Sequence, residues 1–270
     1  MSCEDQFTSR AKGSWSKIRA VPNQASWLGR VPVAVENAQG RGPLVLVCDH
    51  ASNWVPPALA RLGLAPQELD RHIAWDPGAL PVAQSLSRLL DAPLVHAGIS
   101  RLVLDVNRDP DHAGSIVSLS EDTRIPGNVA ITAEDRMRRI RDIYEPYHHC
   151  LERTVDTQVA RHADLQVVSI HSFTPIYRGH HRPWHVGVLS DRDRRMAEPL
   201  LRLLQADPDM NVGDNEPYAP TDGVYHTLGR HCSVRGLRSV LLELRADLVG
   251  DAASQERWAR KLAQALRAIS

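Results

Sequence analysis

The sequence predicts an α/β fold with a central mixed, mostly parallel sheet and helices on both of its faces. Short apolar runs alternate with longer stretches whose apolar residues recur at helical spacing. With 43% hydrophobic and 24% charged residues among 270, the chain has the composition of a packed globular protein. There is no internal repeat or low-complexity segment.

Residues 1–30 are polar and without period, and read as a loosely attached extension; residues 31–270 read as one domain. A short strand is expected at 31–36. The run at 44–47 is rich in β-branched residues and bounded by Gly-Pro, so it reads as a buried strand. Residues 78–90 have helical periodicity, and Asp91-Ala92-Pro93 stops them. Strands are expected at 94–96 and 102–106. Residues 109–130, rich in Gly, Pro, Asp and Ser, read as a long loop of the kind that often serves function. Thr132-Ala133-Glu134-Asp135 is a capping box opening a long helix over 133–161, with a kink expected at Pro146. Strands at 165–170, 186–189 and 239–244, a helix at 194–204, a loop or short strand at 211–219 and an amphipathic helix at 255–269 complete the pattern.

Composition excludes several functions. The 32 basic residues balance 32 acidic ones, which removes the electrostatic footprint of a nucleic-acid binder. No apolar run approaches the roughly 18 residues needed to span a bilayer. The first 30 residues lack the apolar core of a secretory signal. Cys3, Cys48, Cys150 and Cys232 are far apart, form no Cys-x-x-Cys pair and suit a reducing, cytoplasmic setting.

The chemistry lies where the strands end. The run at 44–47 leads into Cys48-Asp49-His50-Ala51-Ser52-Asn53, and the run at 102–104 into Asp105-Val106-Asn107-Arg108. The run at 167–170 leads into His171, and that at 240–242 into Glu243-Leu244-Arg245. Open α/β sheets bind ligands at the carboxyl rim of their strands. Parallel neighbours would therefore bring His50, His171, Glu243, Asn107, Arg108 and Arg245 to one cleft. Two imidazoles and a carboxylate are a common ligand set for catalytic zinc. A further glutamate can shuttle protons, an arginine can stabilise an oxyanion, and an Arg-Asn pair can grip a carboxylate. Glu243 stands out, because an unpaired carboxylate in a central strand costs several kcal/mol, about 2–7, in lost solvation.

These residues resemble the N-formylglutamate amidohydrolase family. The matching stretches are Cys-Asp-His-Ala-Ser-Asn (48–53), Asp-Pro-Gly-Ala (76–79), Ser-Arg-Leu-Val-Leu-Asp-Val-Asn-Arg-Asp-Pro (100–110) and Ile-His-Ser-Phe-Thr-Pro (170–175). They continue with Val-Gly-Val-Leu-Ser-Asp-Arg-Asp (186–193), Asp-Asn-Glu-Pro-Tyr (214–218) and Leu-Glu-Leu-Arg-Ala-Asp-Leu (242–248). That family is similar in turn to the zinc carboxypeptidases and aspartoacylases. The resemblance implies a zinc-carboxypeptidase-like sheet, with His50 and His171 as zinc ligands, Arg101 polarising the scissile carbonyl and Glu243 as the general base. It implies Asn107 and Arg108 as the grip on a substrate carboxylate, and Arg245, from its place after the last strand, is expected to join them. Asn53 departs from the glutamate that carboxypeptidases have there, and asparagine is a poor zinc ligand. Asp76 is favoured as the third ligand, with a helix N-cap as its other reading.

Among the remaining histidines, His180, His181 and His185 read as a substrate-side or surface loop. His148 and His149 diverge on a helix and cannot share a metal. His226 and His231 receive no role. The expected activity is zinc-dependent hydrolysis of the N-formyl amide of N-formyl-L-glutamate or a close N-acyl acidic amino acid, with another divalent metal as a variant. The rivals are a carboxypeptidase-like amidase or deacylase on another N-acyl amino acid or peptide, and a binding protein without catalysis. No nucleic-acid or membrane partner is expected.

Overall fold

The computed structural model describes residues 19–20 and 26–270. Most of the expected 1–30 extension lies outside them; within it, Leu28 is fully buried and its carbonyl accepts the Trp54 indole N–H at 3.0 Å. The sheet strands are β1 (Arg19–Ala20), β2 (Val33–Glu36), β3 (Leu44–Cys48), β4 (Leu94–Ala97), β5 (Gln166–Phe173), β6 (Val186–Leu189), β7 (Val212–Asp214) and β8 (Arg238–Arg245). They form an eight-stranded mixed sheet in the order β1-β2-β4-β3-β5-β8-β6-β7. The centre, β4-β3-β5-β8, is parallel, as is β6-β7. The pairs β1-β2, β2-β4 and β8-β6 are antiparallel.

Every residue of β3 and β5 is buried, because both faces of the sheet are covered. Alternate side chains enter opposite cores. Val45, Val47 and Val167 join Tyr147, Leu151 and Val155 on one face. Leu44, Leu46, Val168 and Leu242 join the other core. That second core takes its helical side from α1 (Ala79–Leu90), α4 (Ala197–Gln205) and α6 (Ala252–Ala268). Each buried aliphatic side chain contributes about 1.5–3 kcal/mol.

The first core is closed by one long helical stretch with a fault in it. It runs as α2 (Ala133–Arg139), a π-turn (Ile140–Tyr144) and α3 (Glu145–Val159). The Thr132 hydroxyl caps its start by accepting from the Asp135 N–H at 3.1 Å. Pro146 cannot donate in the helical ladder, and the wider π-turn falls immediately before it, where the kink was expected. The short helix α5 (His226–His231) lies on the same side, packed on α3.

The strand expected at 102–106 is absent. Leu102, Val103, Leu104 and Val106 are buried, but as consecutive turns. Side chains rather than a neighbouring strand satisfy their carbonyls: Asn128 Nδ2 donates to Leu102 O and an Arg139 guanidinium N–H to Val103 O, both at 2.8 Å. The long loop after it contains a small hairpin, Leu119–Ser120 with Thr123–Arg124.

Candidate metal centre and its cavity

The carboxyl ends of β3, β5 and β8 are adjacent and point the same way. His50 follows β3 by two residues, while His171 on β5 and Glu243 on β8 are direct partners in the register. Asp76 arrives from the turn before α1. There Gly78 has φ 81°, and a Cβ would meet Val249 O at 2.4 Å, so only glycine lets this turn press against the C-terminal end of the sheet. The Asp76 N–H donates to His50 O at 2.9 Å, tying the two segments together. Gly78, not Asp76, is the N-cap of α1, so the Asp76 carboxylate is free for the site.

His50, Asp76 and His171 are all buried, and one ligand atom from each lies within 4.8 Å of the others. Their tautomers follow from their outer partners. His171 Nε2 donates to Asp49 Oδ2 at 3.0 Å, and His50 Nε2 donates to Asp105 Oδ1 at 2.7 Å. In neutral rings this leaves both Nδ1 lone pairs facing Asp76 Oδ2, at 2.8 Å for His171 and 3.4 Å for His50. His50 Nδ1 is buried without a hydrogen bond. Three converging electron-pair donors, each imidazole backed by a carboxylate, are the ligand and support arrangement of a divalent metal site. The residues present therefore fit such an ion.

The charges are tightly coupled. Burial raises the Asp49 carboxyl, but hydrogen bonding and charge from His171 outweigh it and hold it well below the carboxylate range. Asp76 is raised by burial and lowered further by the charge of His50 and the hydrogen bond of His171. Burial lowers the His171 imidazole, while Asp49 and Asp76 lift it well above its ordinary value. Asp105 is also held low, because His50 and Arg101 outweigh its burial.

Glu243 differs from these carboxylates. Burial pushes it up to about 7 against the pull of His171, and its Oε2 has no hydrogen-bond partner. It lines a cavity of about 350 Å³ together with His50, Asp76, His171, Arg101 and Arg108. Arg101 is fixed by Asp105 at 2.9 Å and lies 3.6 Å from Asp76. Arg108 donates to the Asp222 carbonyl at 3.1 Å, and burial lowers its guanidinium from the ordinary value. Tyr218 also lines the cavity. Gly187 lies opposite Glu243 in the register, where a Cβ would meet Glu216 O at 2.0 Å, so the segment carrying Tyr218 can approach.

The structure thus brings His50, Asp76, His171, Glu243, Arg101 and Arg108 together. Asn107 lines the cavity too, but its amide is engaged by backbone at both ends, donating to Val224 O and accepting from the Thr227 N–H. Arg245 lies outside the lining, paired with Asp247 and the Pro183 carbonyl. Asn53 bonds Leu69 O and is not in the metal group. Of the other histidines, His180 and His181 are exposed in a hairpin outside the cavity lining, and His185 accepts from the Asn211 N–H. His148 is buried and His149 exposed, as divergence on a helix requires.

Two residues of the site were not singled out from the sequence. Asp49 accepts from Tyr147, Ser169, Thr227 and His171, and Asp105 joins His50 to Arg101. Both lie in the matched motifs, beside His50 and four residues after Arg101.

Comparison with known proteins places the chain in a family. The N-formylglutamate deformylase of Pseudomonas putida is 32% identical over 132 residues, 44% of this chain and 47% of its own. The Pseudomonas aeruginosa deformylase is 29% identical over 137 residues, 46% and 47% of the two chains. The chain spans about half the length of the curated relatives it matches. Among solved structures, gene product Atu2144 of Agrobacterium tumefaciens has a TM-score of 0.85 at 40% identity, covering 88% of this chain and 96% of that one. The N-formylglutamate amidohydrolase of Ralstonia eutropha JMP134 shares the fold with a TM-score of 0.68 at 20% identity, covering 88% and 97%. The family model for N-formylglutamate amidohydrolase matches residues 42–249, a span that holds every residue of the metal centre and its cavity named above, and the chain belongs to that family.

Proposed function

We propose that the protein hydrolyses the N-formyl amide of N-formyl-L-glutamate, or of a close N-acyl acidic amino acid, with a divalent ion, zinc first, held by His50, Asp76 and His171. The observation that carries this is the convergence of three lone pairs beside a buried, unpartnered Glu243 oxygen in a cavity with Arg101 and Arg108. The printed activity of the Pseudomonas relatives supports the choice of substrate.

When bound, a divalent ion there lowers the pKa of a water toward neutrality and polarises a carbonyl. Glu243 takes a proton from the attacking water at Oε2. Its pKa, raised by burial to about 7, suits a group that accepts a proton and then gives it up near neutrality. It passes that proton to the amide nitrogen as the C–N bond breaks, releasing formate and the amino acid. Arg101, held in place by Asp105, turns its remaining N–H groups to the developing oxyanion. Arg108 holds a substrate carboxylate through charge-assisted hydrogen bonds. Asp49 and Asp105 keep the two imidazoles in the tautomer that presents Nδ1. Asn107 ties the segment carrying Arg108 to α5.

The same reading treats residues 31–270 as one domain, supported by two apolar clusters that share one sheet. It includes a cytoplasmic setting, supported by the free Cys48, Cys150 and Cys232.

The test is formate release from N-formyl-L-glutamate by purified protein, with chelator and after zinc is restored. Chelator-sensitive release recovered by zinc is expected. Zinc-loaded protein that releases no formate would remove this substrate, and release unaffected by complete metal removal would remove the metal.

A further inference from the structure

Arg178 has an unusual position at the mouth of the cavity. It occupies the tip of a hairpin made by Ile176–Tyr177 and His180–His181, at φ 48°, in a region that non-glycine residues seldom occupy. Its guanidinium carbon lies 5.4 Å from the Tyr177 ring centroid. The same ring carries Arg182 at 4.5 Å. Arg182 is buried, donates to the Tyr218 hydroxyl at 2.8 Å and closes the hairpin through its N–H to Pro175 O at 2.8 Å. The exposed tip is therefore anchored through Tyr177 to the cavity wall.

The arginines around the cavity divide by what holds them. Arg101 is committed to Asp105 and lies beside Asp76. Arg182 is committed to Tyr218 and the aromatic rings. Arg108 has a hydrogen bond to a backbone carbonyl, and Arg178 has an aromatic ring; among the described residues neither has a carboxylate in an ion pair. Both line the cavity. Two guanidiniums without a carboxylate partner, on one cavity with one Glu243, suit a ligand bearing two carboxylates.

We propose that Arg178 binds the side-chain carboxylate of the substrate and sets the preference for an acidic side chain, while Arg108 takes the carboxylate nearer the scissile amide. This rests on the amide-hydrolase reading above and adds the residue that reads the side chain. The assignment follows distance from the chemistry: the side-chain carboxylate is the farther group and reaches the rim. A partly solvated arginine–carboxylate pair is a modest interaction that salt weakens, so the preference is of moderate size and sensitive to ionic strength.

The experiment compares formate release from N-formyl-L-glutamate and N-formyl-L-glutamine by zinc-loaded wild type, Arg178→Gln and Arg178→Lys, at low and high salt. Wild type should prefer the glutamate substrate. Arg178→Gln should raise KM for it about five- to tenfold with kcat little changed, and leave kcat/KM for the glutamine substrate within about twofold. Arg178→Lys should restore part of the preference, and salt should erode it in wild type but not in Arg178→Gln. A glutamate-to-glutamine ratio unchanged by Arg178→Gln would overturn the proposal while leaving the amide-hydrolase reading intact. Wild-type protein that turns over neither substrate would overturn both.

Discussion

Glu243 and Asp105 are both buried carboxylates, yet the structure gives them opposite tasks. Glu243 Oε2 is left without a partner and its pKa is pushed up to about 7, whereas Asp105 is saturated by His50, Arg101 and the Asn107 N–H. Glu243→Gln should therefore keep zinc at wild-type stoichiometry and lower kcat by about 10²–10⁴-fold. Metal content and formate release check this, and near-normal turnover would take Glu243 out of the mechanism. Asp105→Asn removes the carboxylate behind His50 and should weaken zinc binding about 10- to 100-fold, as measured by competition with a chromophoric chelator. Unchanged affinity would make Asp105 a support for Arg101 alone. His50 follows a buried strand by two residues, and His171 and Glu243 lie two residues before the ends of β5 and β8; each stood out in the sequence because a polar side chain in or just after a buried run needs a reason to be there. Asp49 and Asp105 did not: Asp49 bonds residues 98 to 178 positions away, and the link from Asp105 to His50 spans 55. Arg245 lies two residues beyond Glu243 on the strand, about 6.6 Å farther along, and there it meets Asp247 and Pro183.

Elements were legible where the backbone makes its own ladder. The 78–90 helix and the strand at 186–189 match observed elements within a residue at each end. The run at 102–106 has the same apolar content as a strand, but the Leu102, Val103 and Val106 carbonyls are met by the side chains of Asn128, Arg139 and His148, which no local pattern shows. Asn128 is the hinge pin of this segment: Nδ2 also donates to Val117 O, and Oδ1 accepts from Arg139. Arg139 is itself buried with no ion-pair partner among the described residues, and burial draws its guanidinium down to about 10. Asn128→Ala leaves the buried Leu102 carbonyl, the half-buried Val117 carbonyl and a guanidinium short of a partner, and should cost about 2–4 kcal/mol in urea unfolding. It should also lower kcat, because the turns it holds connect Arg101 to Asp105. A loss below about 0.5 kcal/mol would show that water replaces the amide without penalty.

Across the whole molecule, the central strands were readable because they are covered on both faces, while the reversed direction of β2 and β6 leaves no mark in composition. The same double coverage buries groups that elsewhere would stay in water. Beneath α5, His148 Nε2 donates to Val106 O at 2.9 Å, so its Nδ1 accepts from His231 Nε2 at 2.8 Å. The rings are stacked with centroids 5.1 Å apart. The ring-to-ring hydrogen bond needs one unprotonated nitrogen as its acceptor, so the two rings cannot both be charged. Burial first, and then the neighbouring imidazole, pull His148 down to about 3; burial and Arg230 pull His231 down to about 4. In the unfolded chain both take up protons near pH 6.5. Between pH 6.5 and about 4 the unfolded state then binds more protons, so stability rises with pH and falls on acidification. Each histidine adds a slope approaching about 1.4 kcal/mol per pH unit in that window. The measurement is unfolding free energy from pH 7 to pH 5, above the range where ordinary carboxylates titrate. The slope of the His148→Leu/His231→Leu double variant should be shallower than that of the parent by about 1–3 kcal/mol per pH unit whatever its absolute stability, a difference in which the metal centre, common to both proteins, cancels. Equal slopes in the two proteins would mean that these histidines are already charged, or freely hydrated, in the folded state.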